Sequence, residues 1–223
     1  MSTLLTTDYY PFGPNTDAAN WEDDLAEFLG ITPAQVSKEF RDRYLEIHDA
    51  SNFIVSIPWH KKISERITKP IRIAIKNYCR GDDLASIVLC GLAAETLTII
   101  VWRTHEVQIA GKTISLKEEK ILFGDKFEKL EQEKRIKILS TLNLITPVQD
   151  VLFNKIKKTR NEYIHPAENQ TKQELEDARA LLKQILSLLK SLSNELNKFS
   201  NSDIRPESEL RTCMAYLHAA GKL

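Results

Sequence analysis

An all-α bundle is predicted by three features of the sequence. Ser86 to Trp102 is a long apolar run, three segments open on capping-box signatures, and the last long segment carries apolar residues at alternating spacings of three and four. The 223 residues, 42% of them apolar, supply one substantial helical core, with one main domain as the default. Lys plus Arg and Asp plus Glu both total 31, so any nucleic-acid contact has to come from a local patch. With 28% charged residues and ample Leu and Ile, the composition excludes a mainly disordered chain.

Residues 1–54 read as an acidic arm with accessory helices, because the first thirty positions hold six carboxylates, Asp8 to Glu27, and no Lys or Arg. Pro11, Gly13 and Pro14 make the start of that arm irregular, and a short helix follows. Thr32-Pro33-Ala34-Gln35 combines a capping box with proline at the first helical position, predicting a helix from about Pro33 to Ala50. Beyond a loop, Ile63, Ile67, Ile71, Ile75 and Tyr78 recur near the helical period, with Pro70 expected to kink or divide the segment.

Gly81 punctuates the chain, and Asp82 or Asp83 can cap an apolar helix reaching about Arg103. That helix is hydrophobic on all sides, which places it at the centre of a bundle. It approaches membrane-spanning length but is short for a span. It also carries Glu95 near its middle, where a carboxylate would cost about 2.5–3.5 kcal/mol in a bilayer.

Val107 to Leu116 pairs two β-prone runs across Ala110-Gly111-Lys112, either a small hairpin or an irregular loop. Charged helical sequence then extends to about Leu144, broken or bent near Gly124. Thr146-Pro147-Val148-Gln149 opens a helix that should end by Ile164, since Pro166 disfavours α geometry at the residue before it. Thr171 to Glu174 opens the last long helix, to about Phe199. Its stripe, Leu175, Ala178, Leu182, Ile185, Leu189, Leu192 and Leu196, is widened by Leu181, Leu186 and Leu188, which favours a core helix over a dimer seam. Residues 55–200 thus form the bundle, and residues 201–223 read as a linker and a short docking helix.

Cys79, Cys90 and Cys213 are odd in number and lack histidines at metal-ligand spacing, which fits a reducing cytoplasm. The N-terminus lacks the basic and apolar regions of a signal peptide. His48, His60, His105 and His218 have no sequence-local metal-binding partners and read as structural or surface residues. Trp21, Trp59 and Trp102 are scattered, as packing residues are. Glu162 to His165 has the E-x-x-H spacing of di-iron bundles, but the further carboxylates that such a centre needs are lacking.

The segment richest in chemistry is Lys155-Ile156-Lys157-Lys158-Thr159-Arg160-Asn161-Glu162-Tyr163-Ile164-His165-Pro166. Phe153, Ile156 and Ile164 form an apolar line along a helix, and Arg160 lies on that line, so its guanidinium needs an anion, a carboxylate or a polar interface. Glu95, inside the most apolar helix, is a candidate partner; the other reading is an edge residue reaching solvent. His165 is about 7.5 Å along and about 140° around an ideal helix from Arg160, but Pro166 ends the helix and lets the two groups converge. Imidazole and guanidinium together suit phosphodiester cleavage in RNA: one removes a proton from the ribose 2′-hydroxyl and the other stabilises charge on the phosphate, with no metal required. Asn161 could orient the phosphate or the histidine, and Lys155, Lys157 and Lys158 supply positive charge for the strand, although such a run reads by itself as a solvated helix face.

Arg160-Asn161-Glu162-Tyr163-Ile164-His165 resembles the R-x4-6-H motif of the HEPN superfamily (higher eukaryotes and prokaryotes nucleotide-binding), including the polar residue often found after the arginine. The context extends the resemblance: Gly91-Leu92-Ala93-Ala94-Glu95-Thr96-Leu97 in an apolar helix, Leu142 to Pro147 entering the motif helix, then His165-Pro166 and another long helix. It spans roughly residues 55–200.

The resemblance implies a HEPN-like helical bundle that dimerises and brings two Arg/His sets into a shared cleft. Many such proteins are metal-independent endoribonucleases of toxin-antitoxin, phage-defence or CRISPR-associated systems. On this basis Arg160 and His165 take the catalytic positions and Asn161 supports them; Glu95, where it pairs with Arg160, orients it and is structural rather than catalytic. The expected partners are RNA, a second copy, and an antitoxin or regulatory protein, with no cofactor and no membrane. Other HEPN proteins bind nucleotides or act as non-catalytic scaffolds, which is the alternative reading.

Overall fold

A computed structural model describes residues 21–48, 64–105, 107–109, 112–164 and 173–201. Within them eight α-helices follow one another: α1 (Trp21–Leu29), α2 (Lys38–Ile47), α3 (Lys69–Cys79), α4 (Asp83–Thr104), α5 (Leu116–Phe123), α6 (Gln132–Thr141), α7 (Pro147–Ile164) and α8 (Glu174–Asn201). The fold is all-α, and among the described residues strand structure is confined to the short hairpin β1 (Gln108–Ile109) and β2 (Lys112–Thr113), in which Gln108 faces Thr113 and Ile109 faces Lys112.

Helix α4 is the axis of the bundle and packs against α3, α6, α7 and α8. It is the one helix among the described residues that is long and apolar enough to cross a membrane, and here over half of its most apolar window is buried inside the protein. Asp82 caps it by accepting from Ala85 N at 3.1 Å, after Gly81 turns the chain at φ +85°. Ile87, Cys90, Ala93, Ala94, Leu97 and Val101 enter the core, whereas Leu92 is 48% exposed. The helix is therefore apolar all round in sequence but open to solvent on one stripe. On α8, Ala178, Leu182, Ile185, Leu186, Leu188 and Leu189 are all fully buried, so the stripe faces the bundle interior.

The N-terminal helices share the same core, to which Leu25, Leu29, Tyr44 and Ile47 contribute. The helix expected from Pro33 begins at Lys38 instead. Pro33–Gln35 form only a single 3-10 turn, held by Gln35 Oε1 accepting from Thr32 N at 2.9 Å, and Val36 is extended. Ser37 is the working cap, accepting from Phe40 N at 3.2 Å, because the chain must leave the turn before a longer helix can begin. His48 closes α2 in extended geometry. Pro70 lies in the first turn of α3, where its missing N–H costs nothing, and a π-helical turn, Ser64–Thr68, precedes it.

Gly124 ends α5 at φ +87°, and α6 follows a 3-10 turn at Phe127–Lys129. At the start of α7, Thr146 N donates to Gln149 Oε1 (2.8 Å) and Gln149 N to Thr146 Oγ1 (3.2 Å), the reciprocal box read from the sequence. Trp102 stacks on Phe127 at 4.4 Å and donates through Nε1 to Glu119 at 2.9 Å. Buried Glu119 also accepts from Phe127 N and from Arg103, so its charge is fully partnered. Residues 1–20 of the acidic arm, Ile63, Trp59, His60, Thr171, and residues 202–223 with Cys213 and His218 lie outside the described residues, whereas four of the arm's six carboxylates, Glu22, Asp23, Asp24 and Glu27, belong to α1.

Candidate functional site

The site is assembled from α4, α6 and α7. In α7, Phe153 and Ile156 are fully buried, and Arg160 follows one turn later on the same face. Ile164, expected to continue that apolar line, is instead 44% exposed, and Tyr163 is the buried residue of the last turn. The helical period carries Ile164 past the edge of the contact with α4.

Arg160 solves its burial with two partners. Its Nη1 donates to Glu95 Oε2 at 3.1 Å, and its Nη2 and Nε donate to Asn161 Oδ1 at 2.9 and 3.2 Å. Three of the five N–H groups of a guanidinium are used in these bonds, which leaves two. The side chain is 18% exposed and Glu95 36%, so the pair is shielded but open on one side. Space for the arginine stem comes from Gly91, one turn before Glu95 on α4. A Cβ built there would lie 2.2 Å from Arg160 Cδ and 2.7 Å from Cγ, well inside contact distance.

Arg135 of α6 is a component that sequence reading missed. Its Nη2 donates to the other Glu95 oxygen, Oε1, at 2.6 Å, and its side chain is 1% exposed. Its Nε and Nη1 are buried with no hydrogen-bond partner among the described residues. The signal was present, since Arg135 lies beside Ile136 and one turn after Gln132 and before Leu139, all on the buried face of α6.

The three lysines are not brought together as a free basic stripe. Lys157 pairs with Glu133 of α6 at 3.1 Å, Lys158 with Glu162 at 3.8 Å, and Lys155 is exposed. Lys157 and Lys158 are i and i+1 on the helix and point in different directions, each toward a carboxylate. His165 lies outside the described residues, so its distance from Arg160 is not a feature of the site described here. Two residues before it, Tyr163 Oη donates to Asp177 Oδ2 of α8 at 2.7 Å. Burial, and then the adjacent carboxylate, raise the tyrosine pKa above its usual value.

Other titratable groups serve the scaffold. Tyr78 donates to Glu46 at 2.6 Å and accepts from Arg179 Nε at 3.2 Å, joining α2, α3 and α8. Cys79 and Cys90 are buried free thiols, with burial pushing Cys79 up to about 12. The His48 ring lies tilted against Tyr44 with centroids 5.6 Å apart, and His105 Nδ1 lies 2.8 Å from Val101 O. Among the described residues no group of His, Cys, Asp and Glu could hold a metal ion.

An all-α bundle with an Arg–Glu–Arg cluster between its central helix and two neighbours is the class of protein that this geometry defines. Residues 78–211, more than half of the chain and the whole of that cluster, match a family described as Domain of unknown function (DUF4145), and the chain belongs to that family. No curated protein and no solved structure matches the chain.

Proposed function

We propose that this chain is a metal-independent endoribonuclease of the HEPN type, acting as a homodimer. The observation that carries the reading is the held guanidinium. Arg160 is fixed by Glu95 and Asn161 and keeps two N–H groups beyond those three bonds, as a fork for phosphate requires. Gly91 supports it, since an interior glycine costs a helix about 1 kcal/mol and here gives the arginine stem its room.

In this scheme His165 removes the proton from a ribose 2′-hydroxyl, and the 2′-oxygen attacks the adjacent phosphorus. The bond to the 5′-oxygen breaks, and that oxygen takes a proton as it leaves. The products are a 2′,3′-cyclic phosphate and a 5′-hydroxyl. Arg160 stabilises the charge growing on the non-bridging oxygens, and Asn161 holds the guanidinium in the plane that contacts them. Exposed apolar residues on the helices that carry the site, Leu92 on α4 and Val148 and Val151 on α7, support a second copy as partner. A role in phage defence or with an antitoxin belongs to the same reading.

The test is incubation of the purified full chain with mixed RNAs in chelator, beside His165→Ala and Arg160→Ala variants. The expected result is cleavage by the parent only, ending in cyclic phosphate, with 2′-deoxy substrates uncut. A folded parent that binds RNA or nucleotide without cutting would establish the non-catalytic scaffold instead. Equal cutting of DNA would overturn the mechanism.

A further inference from the structure

Glu95 is shared by two arginines that reach it from opposite sides. Arg135 takes Oε1 from the interior at 2.6 Å, and Arg160 takes Oε2 from the more open side at 3.1 Å. Alone, Glu95 and Arg160 would cancel. With Arg135 included, two positive charges face one negative charge and the cluster is left cationic.

We propose that Arg135 is the charge-setting and positioning residue of this site: by neutralising Glu95 from inside, it leaves Arg160 as an uncancelled cation for a phosphodiester group. Arg135 is too deeply buried to meet the strand, so it acts through the carboxylate. The distances fit this division. The shorter bond ties Glu95 inward, so when phosphate engages the two N–H groups that Arg160 keeps beyond its three bonds, the carboxylate's charge is already met from inside and does not cancel the guanidinium. The unpartnered Nε and Nη1 of Arg135 point the same way, because a guanidinium is expensive to bury and, among the described residues, Glu95 is the carboxylate that holds it. The substrate class rests on the ribonuclease reading, whereas the charge relationship does not.

The experiment measures binding of a labelled single-stranded 2′-O-methyl RNA, which cannot be cut, by fluorescence anisotropy across a salt series in chelator. The proteins are the parent, Arg135→Met, Arg135→Lys, Glu95→Gln and the double variant Arg135→Met/Glu95→Gln, each checked for helicity. Methionine has similar length and removes the buried unpaired N–H groups, so the fold should tolerate it. Arg135→Met should bind about tenfold more weakly at low salt and lose about 0.7 from the magnitude of the salt slope. Arg135→Lys should stay within about threefold of the parent. The double variant should also return to within about threefold, because removing the carboxylate restores the uncancelled Arg160; a merely structural role would not be rescued in this way. A folded Arg135→Met with parental affinity, or a double variant no better than the single, overturns the proposal.

A second probe separates the two readings. Inorganic pyrophosphate should raise the melting temperature of the parent and of Glu95→Gln but not of Arg135→Met. If the parent takes up pyrophosphate in this pattern yet neither binds nor cuts RNA, the ribonuclease reading falls and the assignment of Arg135 stands. If the parent and Arg135→Met bind and cut RNA alike, the assignment falls and the ribonuclease reading stands. A parent that binds neither probe overturns both.

Discussion

Gly91 of α4 and Arg160 of α7 pack so closely that a single added methyl group at the glycine would overlap the arginine stem. Two links of the chain from sequence to function meet there: a helix-weakening residue at the centre of the most apolar helix, and the one cation that α7 presents to that helix.

Gly91→Ala should therefore lose more than it gains. Helix propensity improves by about 1 kcal/mol. The overlap costs about 1–3 kcal/mol and drives Arg160 away from Glu95, and a displacement of about 1 Å at a reacting group can cost about a hundredfold in rate. Urea denaturation and RNA cleavage should both report the loss. Adding Arg160→Ala to Gly91→Ala should restore most of the stability, since the overlap with Cδ and Cγ disappears and only the Cβ contact at 3.0 Å is left; a purely additive double mutant would contradict the packing.

Alkaline pH should destabilise the bundle through Tyr78. Burial first, and then the Glu46 carboxylate, push its pKa from an ordinary value near 10 up to about 12, against the pull of Arg179. The folded state thus binds the phenolic proton more tightly than the unfolded state. Its contribution is complete below pH 10 and is lost as pH rises toward 12. Urea midpoints should fall across that window and fall less steeply in Tyr78→Phe. The buried Cys79 thiol adds a decline of the same sign beginning near pH 9, so the comparison is made in a Cys79→Ala background.

Glu119→Ala tests the scaffold apart from the site. It strips partners from Trp102 Nε1, Phe127 N and Arg103, two of which are buried. A loss of about 3 kcal/mol is expected, with the cleavage rate per folded molecule unchanged. A large change in that rate with stability intact would mean that Glu119 serves the chemistry.

The carboxylates beside the lysines should restrain RNA binding. Glu133→Gln releases Lys157 from its pair, which at a largely exposed partner is worth about 0.5 kcal/mol or less of stability. Affinity for RNA should rise by about twofold and the salt slope should steepen. No change, together with parental behaviour of Lys157→Ala, would remove Lys157 from the interface.

The legible parts of the fold were those specified by neighbouring residues. The Thr146 to Gln149 box, the Asp82 cap and the Gly124 stop are local hydrogen-bond or backbone demands, and they lie where the sequence puts them. Thr32 to Gln35 has the same local pattern but yields one turn, because Val36 turns extended and Ser37 offers a competing cap. At the site, Glu95 could be paired with Arg160 from sequence because a charge inside an apolar helix requires a partner. Arg135 escaped because its segment reads as charged surface, and only the spacing from Gln132 through Ile136 to Leu139 shows that it faces inward. Gly91 escaped because its requirement arises from a helix distant in sequence.

The phenol of Tyr163 and the carboxylate of Asp177 fasten the outgoing end of α7 to the first turns of α8, across a separation of fourteen positions. His165 lies in sequence between those two residues. Because the bond needs only its two ends, α7 stays fastened to α8 whatever the sequence between them. A change at either anchor would instead be felt by both helices at once.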